Sequence, residues 1–122
     1  MGFHPINLAL RFILEMVALL ALAFWGWTTH DGMVRFLWAI GLPLLSAVIW
    51  GTFAVPDDRS RSGKAPVAVP GVLRLLLELA FFGLATWALI DAGQQTVGYL
   101  FGFVVIIHYA LSYDRIIWLV KN

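Results

Sequence analysis

The chain has 122 residues, of which 61% are hydrophobic, 15% aromatic and only 12% charged, and its formal net charge is +1. A soluble domain carries about 45–50% apolar and about 25% charged residues, so the composition excludes a soluble globular domain, a disordered tail and a disulfide scaffold. Four membrane spans of about 20 residues would occupy roughly 80 positions, and the length leaves room for one compact unit.

The first predicted span, Leu8–Trp27, reads LALRFILEMVALLALAFWGW and stops at the polar turn Thr28-Thr29-His30-Asp31-Gly32. Ala21-Leu22-Ala23 looks like a signal-peptidase site. No Lys or Arg precedes Arg11, however, Glu15 lies inside the segment and further spans follow, so the segment is expected to be retained. The second span, Val34–Val55, contains Pro43, which should kink the helix without ending it because apolar sequence continues on both sides. A loop over 56–71 follows, opening with Pro56-Asp57-Asp58-Arg59-Ser60-Arg61-Ser62-Gly63-Lys64. The third span, Val72–Ile90, closes at Asp91-Ala92-Gly93-Gln94-Gln95; the fourth, Thr96–Tyr113, leads into the amphipathic tail DRIIWLVKN. In lipid each backbone N–H and C=O must be paired within its own helix. The expected fold is therefore an all-α membrane protein, a four-transmembrane-helix up-down bundle forming a single domain over residues 1–122.

Lys and Arg set the orientation. Arg59, Arg61 and Lys64 lie in the central loop, Arg115 and Lys121 at the C-terminal end, and Arg11 and Arg74 near the starts of spans one and three. Only Arg35 lies on the other side, so seven against one predicts cytoplasmic termini and a cytoplasmic central loop. Trp25, Trp27, Trp38 and Trp87 then fall at the outer interface, with Trp50 and Trp118 at the inner one.

The absent residue types narrow the chemistry. Without Cys there is no thiolate nucleophile, Fe–S cluster or Cys-based zinc site. His4, His30 and His108 are far apart, so no metal site and no bis-histidine haem is expected. No Walker-type, GxSxG or HExxH motif is present, and no basic stripe marks a nucleic-acid partner. The chain is expected to be neither an enzyme nor a cofactor carrier.

The charges inside the spans are more informative. An offset of 63 aligns Leu10-Arg11-Phe12-Ile13-Leu14-Glu15 with Leu73-Arg74-Leu75-Leu76-Leu77-Glu78, which suggests two related hairpins. Charged groups in a span cost several kcal/mol unless paired. Arg and Glu at i and i+4 share a helix face; alternatively, packed spans one and three would join Arg11 to Glu78 and Arg74 to Glu15. All four are expected to point into the bundle. His108 and Asp114 belong to the same half of span four, giving an intramembrane polar cluster of Arg11, Glu15, Arg74, Glu78, His108 and Asp114. Gly98 and Gly102 form a GxxxG expected to serve packing within the bundle, and Pro43 is expected to be a static kink.

LALRFILEMVALLALAFWGW, IGLPLLSAVIWGTFAVP and PGVLRLLLELAFFGLATWAL together resemble the YrdB-like family of small bacterial four-span membrane proteins, over about Asn7–Tyr109. The two LRxxLE segments and Trp50-Gly51-Thr52-Phe53-Ala54-Val55-Pro56 carry the resemblance most specifically. It implies a bacterial cytoplasmic-membrane protein of this topology. The family is a domain of unknown function, so it implies no activity, cofactor or catalytic residue. Two functional readings follow. In the first, the paired Arg and Glu are structural, and the bundle is an accessory protein whose partners are the lipid bilayer, another membrane protein or a further copy of itself. In the alternative, Glu15, Glu78 and His108 serve an ion- or proton-coupled transporter or channel.

Overall fold

The computed structural model describes residues 1–60 and 65–122. Arg61 and Lys64, counted above toward the charge of the central loop, lie outside the described residues. Among the described residues five helices carry the fold: α1 Pro5–Thr28, α2 Val34–Thr52, α3 Gly71–Asp91, α4 Gln95–Leu111 and α5 Tyr113–Lys121. Two very short strands, β1 Phe53–Ala54 and β2 Val67–Ala68, pair in parallel.

Helix α1 starts at Pro5, whose missing N–H suits the first turn, and the ring of His4 accepts a hydrogen bond from the Ile6 amide at 3.2 Å. Gly32, at a φ of 62°, supplies the left-handed turn into α2. Helix α2 runs on through Pro43, beside which the Ser46 hydroxyl donates to the Leu42 carbonyl at 2.9 Å. It ends at Thr52, short of the expected Val55, because Phe53 and Ala54 leave the helix to pair with Val67 and Ala68. Gly93, at a φ of 87°, turns α3 into α4. The fourth apolar segment is also shorter than expected. Helix α4 stops at Leu111, where the Ser112 amide and hydroxyl both bond the His108 carbonyl, and α5 leaves at an angle of 69°.

Helices α1 and α3 form the centre. Leu14, Ala18 and Ala21 of α1 meet Phe82, Ala85 and Leu89 of α3, and Phe101, Val105 and Tyr109 of α4 complete this core. Alanines at the seam let the two helices approach closely. Helix α2 lies along α1 and buries no residue fully. The two helices come close at Gly26, where a Cβ would stand 2.6 Å from the Trp38 carbonyl carbon. Gly26→Val is accordingly expected to force α2 off α1 and to lower stability by about 1–3 kcal/mol, read as the thermal midpoint in detergent; an unchanged midpoint would mean that α2 can shift freely. Gly98 and Gly102 turn toward α3, where a Cβ would stand 2.7 Å from Ile90 Cγ1 and 3.2 Å from Thr86 Cγ2 respectively.

Large apolar side chains such as Phe12, Leu20, Leu37, Leu44, Leu76 and Ile106 cover the outside. Among the described residues three helices are long and apolar enough to cross a membrane, and α4 with α5 makes a fourth candidate. At one end of the bundle Trp25 packs against Trp38 and Trp87, with ring centroids 6.0 and 5.6 Å apart, and donates to Asp91 at 2.8 Å. The opposite end holds the buried charges.

Candidate functional site

Buried positions on α1 fall at Asn7, Arg11, Leu14, Ala18 and Ala21, and on α3 at Gly71, Arg74, Glu78, Phe82 and Ala85. Each is one stripe of helical period, with its polar members at the N-terminal end. Because α1 and α3 are neighbours, the two stripes bring Arg11, Arg74 and Glu78 together.

Glu78 is completely buried. Its Oε2 accepts from Arg11 Nη2 at 2.9 Å, Arg74 Nε at 2.8 Å and Arg115 Nη2 at 2.8 Å. Its Oε1 accepts from the Tyr109 hydroxyl at 2.7 Å and Arg115 Nη1 at 2.8 Å. A carboxylate offers about four lone-pair sites; five donors from four side chains fill them and leave no unoccupied position for a proton. Arg115 grips both oxygens in the fork geometry that guanidinium and carboxylate share.

The outer bonds of the three arginines tie separate parts of the chain to this centre. Arg74 Nη1 donates to the Trp50 and Phe53 carbonyls at 2.6 and 2.7 Å, satisfying orphan groups at the C-terminus of α2, where a cation also complements the helix dipole. Its guanidinium lies over the Trp50 ring, 4.4 Å from the centroid. Arg11 donates to Glu15 at 3.2 Å and to the Ser60 hydroxyl at 2.6 Å. Arg115 Nη2 meets Asp58 of the loop at 2.7 Å. Three cations (Arg11, Arg74 and Arg115) thus face three anions (Glu15, Asp58 and Glu78).

Asp58 is placed by a tight turn in which Asp57 takes a left-handed φ of 68°, and its Oδ1 accepts from the Ser60 amide and hydroxyl at 2.9 and 2.7 Å. Burial by itself raises the pKa of this carboxyl, but the hydrogen bonds and charge of Arg115, with the Ser60 contacts, outweigh burial and hold it below the ordinary value of 3.8. A depressed folded-state pKa contributes stability that is present above the unfolded pKa and lost as pH falls through the folded one. The thermal midpoint of the wild type is therefore expected to fall on acidification below that ordinary value, and to fall less in Asp58→Asn. An equal fall in both would assign the acid sensitivity to other groups.

The expected cluster and the observed one overlap in part. Arg11, Arg74 and Glu78 meet, and Arg11 bonds Glu78 across the helices. Glu15 does not reach Arg74; it stands one position off the buried stripe, is 20% exposed, and faces a crevice between α1 and α2. His108 is buried but bonds Asn7, at 3.0 Å, rather than a carboxylate, and Asn7 in turn donates to Ser112 at 2.7 Å. Asp114 lies outside the cluster, where it binds the N-terminal ammonium at 3.2 Å and the Gly2 amide at 2.7 Å. Arg115, Asp58, Tyr109 and Ser60 are the members that were not expected. Among the described residues no group of three or more His, Asp or Glu has the arrangement to hold a metal ion.

Residues 9–106 match the profile of a family described as a protein of unknown function, DUF2568. The chain is 40% identical over 116 residues to the uncharacterized protein YrdB of Bacillus subtilis (strain 168), which covers 95% of this chain and 94% of that one. No solved structure matches it.

Proposed function

The chain belongs to the DUF2568 family, whose function is unknown, and from that premise we propose a small four-span protein of the bacterial cytoplasmic membrane with a structural or accessory role. In this reading it is not an enzyme, carries no cofactor, and acts by binding lipid or another membrane protein. The buried charges are the tie that holds four spans, the central loop and the C-terminal helix in one arrangement. Hydrophobicity cannot select partners among helices in lipid, whereas polar pairs can.

The observation that supports this most strongly is the saturation of Glu78 by Arg11, Arg74, Arg115 and Tyr109. A carboxylate that carries protons or ions through a cycle must exchange partners, and here each exchange breaks several charge-assisted bonds. The contact of the N-terminus with Asp114 and of Asp58 with Arg115 puts both chain ends and the loop at one end of the bundle. That agrees with the cytoplasmic placement expected from the Lys and Arg bias. In liposomes under a pH or cation gradient, the wild type is expected to give no flux above empty vesicles. A flux lost in Glu78→Gln, with that variant unfolding at the wild-type temperature, contradicts the structural role.

A further inference from the structure

Between α1, the C-terminal end of α2 and the loop lies a crevice of about 230 Å³, with Arg11, Glu15, Ser60 and Arg74 on its polar side and Leu8 and Phe12 at its apolar mouth. Phe12 is exposed on the outer face of α1, so the crevice opens where lipid chains would lie. Two groups on its wall have bonding capacity left over. Arg74 is 1% exposed, yet among the described residues its Nη2 has no acceptor, while Nε and Nη1 are engaged. Glu15 uses Oε1 for Arg11, and among the described residues its Oε2 has no donor. The crevice is therefore lined by both a cationic donor and an anionic acceptor. A simple anion would meet Glu15, and a simple cation would meet Arg74; a group carrying both charges satisfies each. The volume is also below the roughly 300–1,000 Å³ of a drug-sized pocket.

We propose that this crevice binds a phosphoethanolamine group, with the phosphate against the guanidinium of Arg74 and the primary ammonium donating to Glu15. In a phospholipid its chains would leave past Leu8 and Phe12. The inference rests on the proposed membrane bundle and adds to it the chemistry of the ligand.

The test uses the full-length protein in detergent and measures retained lipid by native mass spectrometry after addition of phosphatidylethanolamine, phosphatidylglycerol or phosphatidylcholine. Phosphatidylethanolamine is expected to be held about tenfold more tightly than the other two, the discrimination one charge-assisted hydrogen bond gives. Glu15→Gln is expected to remove that preference, with phosphatidylglycerol retention rising as the repelling carboxylate is lost. Displacement of the lipid by soluble glycerophosphoethanolamine would identify a water-soluble ligand, and failure to displace it a lipid. Equal retention of the three lipids, or an undiminished preference in Glu15→Gln, overturns the proposal. The thermal midpoint of Glu78→Gln, taken on the same preparations, reports separately on the structural role, so either idea can fail alone.

Discussion

Replacing Glu78 by Gln is expected to cost about 3–5 kcal/mol, the range for a buried ion pair that loses one partner. The loss exceeds that of an ordinary hydrogen bond because of what remains. Arg11, Arg74 and Arg115 are 4%, 1% and 2% exposed, and without Glu78 they share, among the described residues, only the carboxylates of Glu15 and Asp58. A Gln amide also turns a donor toward guanidinium groups that can only donate. Total stabilities of small proteins are about 5–15 kcal/mol, so the variant is expected to lose a substantial fraction of its stability. The measurement is denaturant or thermal unfolding in a fixed detergent, followed by the fluorescence of Trp50 beside the cluster.

A second large effect is expected at Arg115. It links Glu78 to the loop through Asp58, alongside the bridge that Arg11 makes between Glu78 and Ser60, and its removal leaves Asp58 without its cation while Glu78 loses two of its five bonds. Arg115→Gln is expected to destabilise by about 3–5 kcal/mol, again as a broken buried pair. It is also expected to expose the loop and α5 to protease before the rest of the bundle unfolds, since both are anchored through this side chain. Arg115→Lys should fall between wild type and Gln, because an ammonium keeps the charge but cannot grip both carboxylate oxygens in a fork. The double variant Asp58→Asn with Arg115→Gln should cost less than the sum of the two singles, as expected for groups in contact. Additive losses would mean that Asp58 and Arg115 act separately.

The long apolar runs made the helices legible in the sequence, because membrane-length hydrophobicity is the strongest pattern a chain of this kind carries. Their ends were less legible. A two-residue strand pair has no periodicity to read, so the departure of Phe53 and Ala54 from α2 gave no local signal. The bend at Ser112 involves neither Gly nor Pro, and is set by hydroxyl and amide bonds to His108.

The site divides in the same way. Arg11, Arg74 and Glu78 stood out because charges are rare within apolar runs. The two LRxxLE segments did not behave alike, however. Glu78 faces α4 and α5, which supply Tyr109 and Arg115, whereas Glu15 faces the gap left by the peripheral α2. Nothing within a single helix distinguishes the two. Arg115 had a readable signal, since His108, Ser112, Arg115 and Leu119 form one stripe of helical period and all four are buried. Asp58 had none. It is one of two adjacent acids in a polar loop, and only the left-handed backbone at Asp57 decides which of them turns inward.

Glu15 and Glu78 occupy equivalent sequence positions in different surroundings, and their Gln variants separate a structural knot from a pair of equivalent membrane carboxylates. Thermal midpoints of Glu15→Gln and Glu78→Gln, measured in the same detergent, are expected to differ widely. Glu15→Gln loses one partly exposed pair, worth at most about 1 kcal/mol, while Glu78→Gln loses about 3–5 kcal/mol. Equal midpoints for the two variants, or a Glu78→Gln protein as stable as the wild type, would contradict the role assigned to the buried charges.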